Sequence, residues 1–338
     1  MITPRDAVIA VTYRCNARCA MCNIWKTSEH NDMEPAEYLK LPTSIKTINV
    51  TGGEPFLRSD LVNVLKALHT RVPSARFVFS TNGLLTERIV STIEDVRSFH
   101  PHIGVGISID GLKDTHDEIR GVSGMFESAM STIEGLKRVG VGDLRIGMTI
   151  LPSNLHQVPE IYDLSRRLGI QFTLTNAHNS EVYFGKTDNE QVSKGGETGP
   201  TLEPMVNSLL RSKSPKNWFR AYHAAGISDY SIRNSFQGHC EAGAKYFFMA
   251  PSGDIYPCNV LDKKIGNLQE VAAWDDLFPQ EVQSEITDVV GRCRQDCWMV
   301  CNTRSLIRAH PMKVGRWIAA NKVRAHLGRG IAGRRDSE

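Results

Sequence analysis

Short apolar, β-branched runs punctuate the early part of the chain: Ala7–Thr12, Thr47–Thr51, Arg76–Ser80, Gly104–Ile109, Arg145–Ile150 and Gln171–Thr175. Between them lie longer segments with helical periodicity, among them Asp60–Arg71, Thr86–Phe99, Met125–Val139 and Gln157–Leu168. Strands alternating with helices imply βαβ units and a parallel sheet. Their crossovers are right-handed, so the sheet curls one way. Six such units predict an α/β fold: a partial (β/α)6 barrel of the TIM type. No sequence repeat accompanies the architectural one.

The pattern changes after residue 180. Lys186–Pro200 is polar and rich in Gly, Ser and Thr, which reads as a surface loop, and two helical stretches follow. Lys245–Met249, Pro251–Gly253 and Asp254–Cys258 read as strand, turn and strand. Residues 304–328 look helical, and the last ten are expected to fray. The resulting division is a barrel core over 1–180, connecting helices and loop over 181–235, a small hairpin and helix domain over 236–305, and a basic helix and tail over 306–338.

With 338 residues, 41% hydrophobic and 23% charged, the chain can bury a sizeable core. It has no apolar run of membrane-spanning length, and Met1–Asp6 lacks a signal-peptide layout, so a cytoplasmic protein is expected. The net charge of +3 is uneven. Residues 304–338 carry nine Lys/Arg against Asp336 and Glu338, a net +7 that leaves −4 for the rest. A mildly acidic body argues against a nucleic-acid binder. The basic tail reads as a solvated helix, with contact to an anionic partner as the alternative.

The eight cysteines fall into two groups. In a reducing compartment, clustered thiols point to metal or catalysis rather than disulfides. The first group lies directly after the first strand, in Tyr13-Arg14-Cys15-Asn16-Ala17-Arg18-Cys19-Ala20-Met21-Cys22. This C-x3-C-x2-C spacing lets one short loop wrap an iron–sulfur cluster. Three thiolates on a four-iron cluster leave one iron open to a ligand. Zinc is the competing occupant, but structural zinc takes four ligands and no His follows at finger spacing.

The loop resembles the signature of the radical S-adenosylmethionine (SAM) superfamily. That resemblance implies a [4Fe–4S] cluster on Cys15, Cys19 and Cys22 whose open iron chelates SAM. It also implies reductive cleavage to a 5′-deoxyadenosyl radical that takes a hydrogen from the substrate. Met21 stands where the family usually has an aromatic residue; its apolar surface and backbone suit the adenine contact expected there.

The resemblance extends over roughly residues 5–180. Gly52-Gly53-Glu54 after the second strand is similar to the motif that holds the SAM amino group: paired glycines allow close approach to a ligand, and the carboxylate accepts from an ammonium. Small polar residues end the later strands: Ser80 and Asn82, Ser108 and Asp110, Thr149 with Asn154, and Asn176 with His178. In (β/α) barrels that end carries the site. By resemblance, Ser108 and Asp110 face the ribose or the methionine carboxylate, and Arg120 pairs with that carboxylate.

The second group is Cys240, Cys258, Cys293, Cys297 and Cys301. A hairpin bringing one thiolate beside others from a distant loop suits an auxiliary cluster, with zinc and free buried thiols as alternatives. The pattern resembles the SPASM/twitch region of many radical SAM enzymes. Five cysteines rather than seven match the one-cluster twitch form. The expected ligands of an auxiliary [4Fe–4S] centre are Cys240, Cys258, Cys293 and Cys297, with Cys301 as a possible swap.

Substrate is less legible. Tyr13, Asn176 and His178 are the catalytic candidates, with Asn82, Asn179 and Tyr183 also near the barrel mouth. Little chain precedes residue 15, where peptide-modifying members often carry a recognition domain. The expectation is therefore a small molecule: a sugar, nucleoside or nucleotide sugar of secondary metabolism, as in antibiotic biosynthesis of the tunicamycin type. The alternative is a ribosomal peptide or protein; a non-catalytic metal-binding protein is the remote one. An external electron donor such as flavodoxin or ferredoxin is implied.

Overall fold

A computed structural model describes residues 2–28, 31–191, 198–233, 240–293 and 297–332, with the side chains of residues 230, 232 and 233 excepted. Six strands run where the apolar runs lie: β1 Asp6–Ala10, β2 Thr47–Thr51, β3 Arg76–Thr81, β4 Ile103–Ser108, β5 Leu144–Ile150 and β6 Gln171–Asn176. Each pairs in parallel with the next. The crossovers carry α1 Leu61–Arg71, α2 Thr86–Phe99, α3 Lys113–Arg120, α4 Met125–Arg138 and α5 Val158–Arg167.

Period-two alternation splits each strand between two environments. Phe77 and Phe79, Val105 and Ile107, and Ile146 and Met148 are almost completely buried in one core with Val64, Leu65, Ile89, Ile93 and Ile133 of the helices. The intervening residues, such as Ser80, Ser108 and Thr149, face the barrel interior. Burying one such phenylalanine stabilises the fold by roughly 2–3 kcal/mol.

The hairpin of the C-terminal half joins this same sheet. Strand β7, Tyr246–Met249, pairs in parallel with β1, placing Asp6 beside Tyr246 and Val8 beside Phe248. Strand β8, Asp254–Tyr256, returns antiparallel, followed by the two-residue β9, Gly266–Asn267. Gly253 turns the hairpin at φ +85°, a conformation that favours glycine. The full order is β6-β5-β4-β3-β2-β1-β7-β8-β9, and among the described residues no hydrogen bonds close β6 onto the far edge.

Beyond β6 come the short α6 Glu181–Phe184, then α7 Thr198–Arg211, α8 Pro215–Arg233, α9 Gln280–Gly291, α10 Val300–Ala309 and α11 Pro311–His326. Helix α7 therefore starts inside the expected loop Lys186–Pro200, while residues 192–197 of that loop lie outside the described residues. The helix expected over 304–328 is two helices, broken at His310-Pro311. Proline removes a helical donor and disfavours helix at the residue before it. Of the frayed tail expected from the sequence, residues 333–338 lie outside the described residues.

Helix α10 spans the open side of the barrel. Cys301 packs on Val8, Ala10 and Phe248 from the interior, and Arg304 and Arg308 both reach Asp6 of β1. The Met299 sulfur, at its N-terminus, lies 3.9 Å from the Thr175 hydroxyl of β6. Among the described residues, no helix is long and apolar enough to cross a membrane.

Candidate active site

The loop after β1 folds over the C-terminal ends of the strands. The end of α3 holds it: Arg18 and Ala20 donate backbone N–H bonds to Arg120 and Ile119 carbonyls, both at 2.8 Å. The loop after β2 holds it from the other side, through Gly53 N–H to Thr12 and Glu54 N–H to Arg14, both at 2.8 Å. A Cβ on Gly52 would stand 2.1 Å from the Thr12 carbonyl oxygen, and one on Gly53 2.4 Å from that of Arg14. The glycine pair thus makes room for the cysteine loop itself as well as lining the cavity beneath it.

That cavity is walled by Cys15, Cys19, Met21 and Cys22 from the loop, and by Gly52 and Gly53 after β2. Ser80 from β3 and Asn82 just after it, Ser108 from β4, Arg120 from α3 and Thr149 from β5 complete the part expected from the sequence. Eleven positions expected from the sequence thereby line one space. Tyr183, among the barrel-mouth candidates, also lies on the wall, as do Thr51, Thr81, Ile24 and Phe184, which sequence reasoning did not single out. Ile24 and Phe184 carry no polar signal that could have flagged them.

Glu54, Asp110 and Asn154 stand behind the wall rather than on it, all completely buried. The Glu54 carboxylate accepts from Asn82 N at 2.8 Å, the Thr81 hydroxyl at 2.9 Å and Phe56 N at 3.3 Å, tying the end of β3 to β2. Burial pushes its pKa up to about 7. Asp110 accepts from Thr149 N at 2.7 Å and pairs with Arg120 at 2.6 Å. Asn154 joins the ends of β4 and β5, donating to the carbonyls of Asp110 and Thr149 and accepting from Leu151 N, each at 2.8 Å. Arg120 Nη1 also lies 3.7 Å from Cys19 Sγ. Burial opposes the charge on Arg120, but Asp110 and Cys19 outweigh it and raise its pKa.

Tyr13 is turned away from this cavity. Its hydroxyl donates to the Val182 carbonyl at 2.6 Å, and its ring lines a neighbouring cleft with Lys26, Glu181, Asp254 and Tyr256. Helix α6 is the partition: Tyr183 and Phe184 face the cavity, Glu181 and Val182 the cleft. His178 is buried, and burial lowers its pKa to about 4, so it is neutral at pH 7. Asn176 is 1% exposed, and neither polar atom of its amide has a hydrogen-bond partner among the described residues. Asn179 accepts from Asn189 N at 2.8 Å, and Asn189 in turn donates to the Met21 carbonyl at 3.0 Å.

Whether these residues suit a cluster can be judged from the thiols themselves. The charges of Cys15, Cys19 and Cys22 act on one another across the cavity, and burial pushes Cys15 up to about 11 and Cys22 up to about 12. Thiolates buried together are unfavourable unless a cation neutralises them, which bound iron does. The second group behaves alike. Burial raises Cys258 to about 12 and Cys297 well above its ordinary value; Cys258 senses Cys240 and Cys293, and Cys297 senses all three others. Cys258 Sγ accepts from Val260 and Leu261 N–H at 3.4 and 3.3 Å. Cys301 stands apart from that group, inside the barrel beside Arg304 and Asp6.

Residues 9–165 match the model of the radical SAM superfamily. The chain is 24% identical over 279 residues to the antilisterial bacteriocin subtilosin biosynthesis protein AlbA of Bacillus subtilis, covering 78% of this chain and 57% of that protein. It is 33% identical to the pre-heme d1 synthase of Dinoroseobacter shibae, covering 93% and 85% respectively. Its fold is similar to that of Streptococcus suis SuiB bound to the precursor peptide SuiA, with a TM-score of 0.63 and 20% identity over 85% of this chain and 67% of that one. A barrel end walled by three cysteines and an arginine, in a chain a third identical to such a synthase along nearly its whole length, makes this protein a member of the radical SAM superfamily, an enzyme that uses an iron–sulfur cluster and SAM.

Proposed function

We propose that this enzyme modifies a ribosomally made peptide, with SAM in the cavity and the peptide reaching it from the C-terminal end of the strands. Cys15, Cys19 and Cys22 would hold the [4Fe–4S] cluster, and Cys240, Cys258, Cys293 and Cys297 an auxiliary one. When bound, the first cluster supplies the electron that cleaves SAM and so produces the radical that takes a substrate hydrogen.

The chain's own residues bind, orient and exclude water. Arg120, braced by Asp110, presents its guanidinium to the SAM carboxylate, a suitable match for a planar fork. Ser108 and Thr149 offer hydroxyls beside it; Ser80, Asn82 and the Gly52-Gly53 backbone line the opposite wall, and Met21 offers apolar surface to the adenine. Glu54 acts by holding Asn82 and Thr81 in place. Tyr183 and Phe184 close the cavity toward the cleft. Helix α10 fills the open side of the barrel, which leaves the strand C-terminal end as the way in.

The observation that carries the assignment of SAM is the convergence of three partly buried cysteines and Arg120 on one cavity. The peptide is supported by the likeness to AlbA, named for bacteriocin biosynthesis. It replaces the sugar or nucleotide sugar anticipated from the sequence. A second reading, a tetrapyrrole substrate, is favoured by the 33% identity to the pre-heme d1 synthase. Anaerobic, reconstituted enzyme should form 5′-deoxyadenosine with SAM and dithionite, and should change the mass of a precursor peptide encoded beside its gene. Turnover of an iron tetrapyrrole with the peptide untouched would reject the peptide reading. The reading also places the enzyme in the cytoplasm, with a flavodoxin- or ferredoxin-type donor.

A further inference from the structure

The end of the barrel opposite the cavity is crowded with positive charge. Arg76 of β3 and Arg145 of β5 both turn inward there across Gly104 of β4. A Cβ on Gly104 would lie 2.8 Å from Arg76 Nη2 and 3.0 Å from Arg145 Nη2, and one on Gly106 3.3 Å from Arg145 Cγ. Asp143, just before β5, pairs with Arg76, and also with Arg145 and Lys216, the last two both at 3.1 Å. Arg220 of α8 reaches only the neutral Gln171 amide and Asn217 among the described residues. Arg304 and Arg308 of α10 share Asp6. Among the described residues, six cations thus meet two carboxylates.

The excess is partly buried. The Arg145 side chain is 15% exposed, and its Nε has no acceptor among the described residues. Burial first, and then the neighbouring cations, lower Arg145 and Arg220 to about 10 and Lys216 to about 8. Such a cluster is unfavourable when short of negative charge and becomes favourable around an anion. Guanidinium forks select oxyanions, and several forks around one space select a multivalent one.

We propose that the floor of the barrel is a binding site for a compact multivalent oxyanion of the phosphate or polyphosphate class, held by Arg145, Arg220 and Lys216 with Arg76 and Arg304 around it. The site is separate from the SAM cavity. Arg145 and Thr149 are four residues apart on one strand, which sets the two sites roughly 13 Å apart.

Calorimetry and thermal unfolding of the reconstituted full chain test this with inorganic pyrophosphate, ADP, a polyglutamate peptide, and sodium chloride at matched ionic strength. Pyrophosphate should bind saturably and raise Tm. Arg220→Gln and Lys216→Gln should each weaken it by about tenfold or more while SAM cleavage persists. Binding of ADP in place of free pyrophosphate supports the site and puts its phosphate on a nucleotide. A response matched by sodium chloride, binding unchanged in both variants, or polyglutamate binding that pyrophosphate does not displace would overturn it.

Discussion

Replacing Asp110 with Asn is the most direct test of how the cavity is braced. Asp110 is completely buried and Arg120 nearly so, with 2.6 Å between Oδ2 and Nη2. Asparagine keeps the shape and can still accept from Thr149 N, the 2.7 Å bond made by Oδ1. It removes the charge and turns an amide donor toward a guanidinium donor. Breaking a buried pair by removing one partner costs about 3–5 kcal/mol, because the other charge is left uncompensated. Against a total stability of about 5–15 kcal/mol, that is a large share. Removing both charges, in Asp110→Asn with Arg120→Met, should cost clearly less than the sum of the single changes, since no orphan charge remains. Anaerobic urea unfolding of the cluster-free protein measures the three variants, and 5′-deoxyadenosine formation measures SAM binding alongside. A loss below about 1 kcal/mol for the single change, or strict additivity in the pair, would refute the bracing role.

Iron content should separate the cysteines: Cys301→Ser keeps a full complement after reconstitution, whereas Cys240→Ser loses the auxiliary portion and Cys15→Ala with Cys19→Ala and Cys22→Ala abolishes 5′-deoxyadenosine formation while sparing that portion. Glu54 predicts a pH dependence. Its carboxyl titrates near 7 folded against an ordinary value of 4.5, so the folded chain holds a proton that the unfolded chain releases in that window. Its contribution is greatest below pH 4.5 and declines by about 3 kcal/mol as pH rises to 7. Glu54→Gln should flatten that slope in chemical denaturation of cluster-free protein; an unaltered slope would count against it. Gly226→Ala tests the docking of α8, because a Cβ there would stand 2.1 Å from the Trp298 ring, next to Cys297. An exposed helical glycine usually gains about 1 kcal/mol on replacement by alanine, whereas overpacking loses about 1–3 kcal/mol, so the sign of the change in Tm decides.

Much of this protein is legible in its sequence. Local periodicity sets the six strands and their crossover helices, since alternation and helical spacing depend on near neighbours alone. The C-x3-C-x2-C loop and Gly52-Gly53-Glu54 are equally local, because one loop supplies each set. The partition between Cys301 and the other distal thiols is not local: spacing left three cysteines interchangeable, and only the packing of α10 against β1 and β7 draws Cys301 into the barrel. Tertiary structure also decided that the hairpin continues the barrel sheet through β1, that Glu54, Asp110 and Asn154 brace the cavity from behind, and that Arg304 and Arg308 of the basic tail turn inward to Asp6. The physical reason is common to all four. A residue's type and spacing are written in its neighbours along the chain, but whether its side chain meets solvent, ligand or a distant counter-charge depends on which strands and helices close over it.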